Sequence, residues 1–145
     1  MSFEEGALCE PLSVALQGIA RTGVKAGDAV TVFGAGTIGL LVDAVAKAGS
    51  AKVTIIGIPC KAHIEIDLDR KRLNFALSYC AESIIQLDRS TGDPLEAARS
   101  NSHMIRSKSH PPDVIFECTG APSCLQTAIY VYPCTQKLMA GSSTW

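Results

Sequence analysis

The residues best placed to do chemistry are six in a row, Gly34-Ala35-Gly36-Thr37-Ile38-Gly39. Their pattern, G-x-G-x-x-G, carries information where it follows a strand and opens a helix. Here it does both. Ala29-Val30-Thr31-Val32-Phe33 is a short β-rich apolar run ended by Gly34. Ile38, Leu40, Leu41, Val42, Ala44, Val45, Ala46 and Ala48 then continue as an Ala-rich helical stretch ended by Gly49. In that setting each glycine has a task. Gly34 allows the tight turn, Gly36 lets the backbone approach a pyrophosphate, and Gly39 lets the helix lie close on the strand. The free N–H groups at the helix start and the positive end of its dipole would hold the phosphates, with Thr37 and Ile38 in the same loop. The expected ligand is a dinucleotide. A glycine-rich turn that binds nothing is the competing reading.

Such a site also needs a carboxylate at the end of the second strand, roughly 20 residues past the loop, to accept hydrogen bonds from ribose hydroxyls. Val53-Thr54-Ile55-Ile56 reads as that strand, and Asp67 is the candidate. It lies too far along, so about nine residues within Gly57 to Ile66 intrude on the expected spacing. If Asp67 closes the strand, its charge repels a 2′-phosphate and favours NAD over NADP. A helix N-cap or a solvated surface acid is the alternative, because Asp67-Leu68-Asp69 precedes a helix.

The elements that must position these residues follow from periodicity and breakers. Pro11 is read as opening a helix over Leu12 to Arg21, which Gly23 stops. After the second strand come a helix near Asp69 to Cys80, a short strand Ser83-Ile84-Ile85, and a polar helix near Pro94 to Lys108. His110-Pro111-Pro112 breaks the chain, and Asp113-Val114-Ile115-Phe116 forms another strand. Strands alternating with helices argue for an α/β fold, a Rossmann-type doubly wound parallel sheet.

Composition narrows the function classes. The chain has 145 residues, 47% hydrophobic and 19% charged, which suits one globular domain. A net charge of −1 offers no field for nucleic acid or an anionic membrane. The six cysteines form no C-x-x-C pair, and the three histidines show no metal-ligand spacing, so no metal site is expected within these residues. The acidic start Phe3-Glu4-Glu5 is unlike a signal peptide, and no apolar run is long enough to span a bilayer. A reducing, cytoplasmic compartment is the expectation.

Four strings occur together in this order: Glu5-Gly6-Ala7-Leu8-Cys9-Glu10-Pro11-Leu12-Ser13-Val14-Ala15, the glycine loop, Asp67-Leu68-Asp69-Arg70-Lys71-Arg72-Leu73, and Glu117-Cys118-Thr119-Gly120. Over most of residues 4 to 131 the chain resembles the cofactor-binding half of zinc-dependent medium-chain dehydrogenases, in particular the sorbitol, xylitol and L-arabinitol dehydrogenase branch. The resemblance implies an oxidoreductase that moves hydride between a polyol and NAD. It matches Glu10 to a glutamate beside the catalytic zinc and substrate, Ile38 to a cofactor contact, Asp67 to the ribose-binding aspartate, and Arg72 to an arginine beside the adenosine ribose. Cys118-Thr119-Gly120 matches the turn passing the nicotinamide side, where a small buried Cys118 is expected rather than a reactive thiol.

It also implies a division at residue 25. Residues 1–25 correspond to the junction with a catalytic domain and its connecting helix, and 26–145 to an NAD-binding domain truncated before its sixth strand. The catalytic zinc and its ligands belong to a domain that these residues do not include, and a homo-oligomer is expected only for a full-length form. A non-catalytic dinucleotide-binding module, an inactive gene-model fragment and a methyltransferase are the other readings of the residues.

Overall fold

The structure is a computed structural model, and it describes residues 2–57, 68–87, 94–109, 111–131 and 137–140. Five helices and five strands are described: α1 (Phe3–Thr22), β1 (Ala29–Phe33), α2 (Thr37–Ala48), β2 (Lys52–Gly57), α3 (Leu68–Tyr79), β3 (Ser83–Gln86), α4 (Pro94–Lys108), β4 (Val114–Glu117), α5 (Pro122–Val131) and β5 (Lys137–Ala140). The strands make one parallel sheet in the order β3-β2-β1-β4-β5. That order is the doubly wound arrangement, which reverses direction between β1 and β4 and opens its ligand crevice beyond the carboxyl ends of those strands.

The sheet is covered on both faces, so its strands read as continuous apolar runs instead of alternating ones. Val30, Val32, Val53, Ile55, Val114 and Phe116 point to one face, where Ala15 of α1, Val42 and Ala46 of α2, and Leu73 and Ala76 of α3 meet them. Phe33, Ile56, Ile85 and Ile115 point to the other, against Ile105 of α4 and Cys124, Ala128 and Val131 of α5. Gly18 lets α1 settle on the sheet, since a Cβ there would lie 3.2 Å from the Phe116 ring.

The first helix departs from the expectation. It begins at Phe3 and carries Pro11 in its interior. Its start is fixed by a capping box: the Glu5 N–H donates to the Ser2 hydroxyl at 3.1 Å, and the Ser2 N–H donates to the Glu5 carboxylate at 2.7 Å. Two orphan donors are satisfied together there, which fixes the helix start upstream of Pro11. The helix stops as expected at Gly23, which adopts φ 63° and ψ 41° and donates its N–H to the Ile19 carbonyl. From the edge strand β5, the Lys137 ammonium donates to the Thr22 carbonyl at 2.6 Å, tying that strand to the end of α1.

The other boundaries shift by a residue or so. The strand expected over Asp113 to Phe116 runs from Val114 to Glu117, which brings Glu117 into the sheet opposite Phe33. The segment 58–67 lies outside the described residues, and with it Asp67 and most of the intrusion. Gly57 itself is the last residue of β2, packed so tightly beneath Leu73 that a Cβ there would lie 2.7 Å from its methyl groups.

Candidate functional site

The glycine loop leaves the carboxyl end of β1 at the point where the sheet reverses. The Gly34 N–H donates to the Ile56 carbonyl at 2.7 Å, and the Phe33 carbonyl accepts from the Cys118 N–H at 2.9 Å. The loop is thus pinned to both neighbouring strands. Gly34 has φ 105°, in the region that favours glycine. A Cβ on Gly34 would also stand 2.9 Å from the Thr119 methyl group and 3.3 Å from the Cys118 carbonyl. At Gly39 a Cβ would lie 1.9 Å from the Gly34 carbonyl oxygen, closer than any atoms can approach. These two glycines are required by the fold.

Gly36 differs. It has ordinary extended angles, φ −82° and ψ −176°, and nothing lies within 4 Å of where its Cβ would be. Its carbonyl accepts the Leu40 N–H at 2.9 Å, but no side chain caps the helix that begins at Thr37. The first turn of a helix has N–H groups without intrahelical partners and carries the positive end of the dipole. Open space beside an uncapped helix start, at a position built without a side chain, is a cradle for an anionic group. A Cβ would fill it. A dinucleotide's pyrophosphate therefore fits the residues present.

On the β4 side the crevice is bordered by Cys118, Thr119 and Gly120. The Thr119 N–H donates to Glu117 Oε1 at 2.7 Å, the Thr119 hydroxyl donates to the same oxygen, and the Gly120 N–H donates to Glu117 Oε2 at 3.2 Å. Thr119 Oγ1 in turn accepts the Ala121 N–H at 3.0 Å, just before α5 begins. Glu117 is 3% exposed. Burial first, then the nearby Glu117 carboxylate, pushes the half-buried Cys118 thiol up to about 12, so it carries a proton at neutral pH.

The remaining candidates are more dispersed. Thr37 and Ile38 stand on the first turn of α2, exposed and half-buried respectively. Arg72 is exposed on α3, the helix that follows the undescribed segment holding Asp67. Glu10 is exposed on α1. Among the described residues no group of three His, Cys, Asp or Glu is placed to hold a metal ion, so zinc finds no donor set there. None of the described helices is long and apolar enough to cross a membrane.

Two buried acids escaped the sequence reading, Glu117 as a site residue and Asp43 altogether. Glu117 stood inside a recognised string without a role of its own. Asp43 interrupts the apolar face of α2 and is fully buried. The only signal was its place between the apolar residues Val42 and Ala44 of an Ala-rich helix.

No protein-family model matches the chain. Among characterised proteins, sorbitol dehydrogenase of Rattus norvegicus is 40% identical over 130 residues, covering 90% of this chain and 32% of its own length. A protein named "Probable D-xylulose reductase A" from Aspergillus fumigatus is 37% identical over 136 residues, covering 90% of this chain and 33% of its own. The chain spans about a third of the length of the curated relatives it matches. Among solved structures, 2R,3R-butanediol dehydrogenase from Bacillus subtilis superposes with a TM-score of 0.67 at 28% identity, over 98% of this chain and 36% of that one.

Proposed function

We propose that this chain, which belongs along its matched residues to the polyol-dehydrogenase branch of the zinc-dependent medium-chain dehydrogenases, is the dinucleotide-binding domain of an oxidoreductase acting on a polyol. The observation that carries the proposal is the open, uncapped cradle at Gly36. In this reading the α2 N–H groups at Thr37, Ile38 and Gly39 hold the pyrophosphate. The adenosine half then extends over the end of β2 toward Asp67 and Arg72, as the doubly wound order requires. The other half lies over β4, against Cys118, Thr119 and Gly120.

A nicotinamide dinucleotide held by the α2 N–H groups and the Cys118–Gly120 turn would supply the hydride acceptor or donor for an alcohol carbon. Cys118, Thr119 and Gly120, held by Glu117, would border the nicotinamide ring on the β4 side. Asp67, as ribose acceptor, selects NAD over NADP. Residues 1–25 form the junction and connecting helix, with Glu10 facing the reacting alcohol, and 26–145 form the dinucleotide domain. Zinc and most of the substrate pocket belong to the two thirds of the relatives' length that this chain does not span, and the setting is cytoplasmic.

Calorimetric titration of the full chain with NADH, NADPH and S-adenosylmethionine tests this. One saturable NADH site is expected, with NADPH about tenfold weaker through repulsion of its 2′-phosphate. S-adenosylmethionine should not bind. Binding of S-adenosylmethionine without NADH contradicts the proposal, as does a folded chain that takes up no dinucleotide.

A further inference from the structure

Resting on the dinucleotide reading, we propose that Glu117 is a positioning residue that holds the Cys118–Gly120 turn in the shape required by the nicotinamide half of the cofactor. Its carboxylate is almost completely buried at the end of β4 and accepts three hydrogen bonds, all from Thr119 and Gly120. Those two residues are thereby turned back over the strand end, with Gly120 at φ 69°. The same turn lies beside the glycine loop, since a Cβ on Gly34 would stand 2.9 Å from the Thr119 methyl group. Thr119 then passes the constraint on to the start of α5 through the Ala121 N–H.

A carboxylate is the group this arrangement asks for. It has acceptor capacity on both oxygens, whereas the Gln amide turns one of them into a donor. Glu117→Gln therefore leaves either the Thr119 or the Gly120 N–H facing another donor, inside a buried turn where a lost acceptor is costly. The pyrophosphate cradle at Gly36 is built by different bonds and stays as it is. The effect falls on one half of the ligand.

The test compares NADH with ADP, which carries the adenosine half and two phosphates but no nicotinamide riboside. Dissociation constants are measured on the full chain for the wild type and for Glu117→Gln, Thr119→Val and Thr119→Ser. Glu117→Gln is expected to weaken NADH about tenfold while ADP stays within about twofold. Thr119→Val, which removes the hydroxyl that donates to Glu117 and accepts the Ala121 N–H, shifts selectivity the same way, and Thr119→Ser, which keeps both bonds, restores it. Should Glu117→Gln fail to fold, the Thr119 pair carries the comparison. Equal losses for both ligands, or none, in variants of a wild type that binds both overturn the inference alone. A wild type that binds neither ligand overturns the dinucleotide reading and this inference with it.

Discussion

Asp43→Leu is expected to stabilise the fold at neutral pH by about 2 kcal/mol and to flatten its pH dependence, as the following balance argues. Asp43 has no exposed surface, and among the described residues its Oδ1 has no hydrogen-bond partner while its Oδ2 has the Cys80 thiol, at 4.0 Å. Loss of hydration pushes the carboxyl from 3.8 up to about 8. The folded chain therefore keeps a proton that the unfolded chain releases. Stability from the protonated acid is fully present below about pH 4 and falls by about 1.4 kcal/mol per pH unit as pH rises toward about 8.

Leucine abolishes both the ionisation and the unsatisfied oxygen, and its larger size returns about 1–3 kcal/mol of that gain as crowding. Asp43→Asn keeps the shape and the buried polar group but cannot ionise, so it should lose the slope and recover less stability. Urea unfolding of all three proteins between about pH 5 and pH 8 checks this. A wild-type stability that is flat across that range, or a leucine variant weaker than the wild type at the upper end, refutes it.

The second large effect separates binding from folding. Gly36→Val should cost only about 1 kcal/mol of stability, the loss of a good N-cap residue, because the backbone there is extended and a Cβ meets nothing within 4 Å. The same side chain fills the cradle, and NADH affinity should fall by about a hundredfold or more, equivalent to about 2.7 kcal/mol. Gly39→Ala should do the reverse kind of damage. Its methyl group collides with the Gly34 carbonyl at 1.9 Å, so the helix must lift from the strand, at about 3 kcal/mol or more of stability. Thermal unfolding and NADH titration of both variants give the comparison. Wild-type affinity in Gly36→Val, or an unaltered melt in Gly39→Ala, contradicts the assignment of the two glycines.

What the sequence made legible was local. The glycine loop, its flanking strand and helix, and the polar helix from Pro94 to Lys108 are specified by neighbours in the chain, and the structure places them where their patterns predict. The early start of α1 was also written locally, in Ser2 and Glu5, but Pro11 is the louder signal and was read as the opening. Asp43 and Glu117 were harder for a different reason. A carboxylate reads as solvated surface until the tertiary packing shows it buried, and that packing involves Cys80 in one case and a backward-folding turn in the other. Asp67 remains a reading from sequence, since segment 58–67 lies outside the described residues.

The central claim is that the start of α2 holds the pyrophosphate of a nicotinamide dinucleotide, and amide NMR shifts during an NADH titration of the full chain test it most directly. Saturable shifts should be largest at Gly36, Thr37 and Ile38, with a second group at Thr119 and Gly120. ADP should reproduce the first group and leave the second nearly still. Saturation with the largest shifts elsewhere, or no saturation in a chain whose spectrum shows it folded, would contradict the claim.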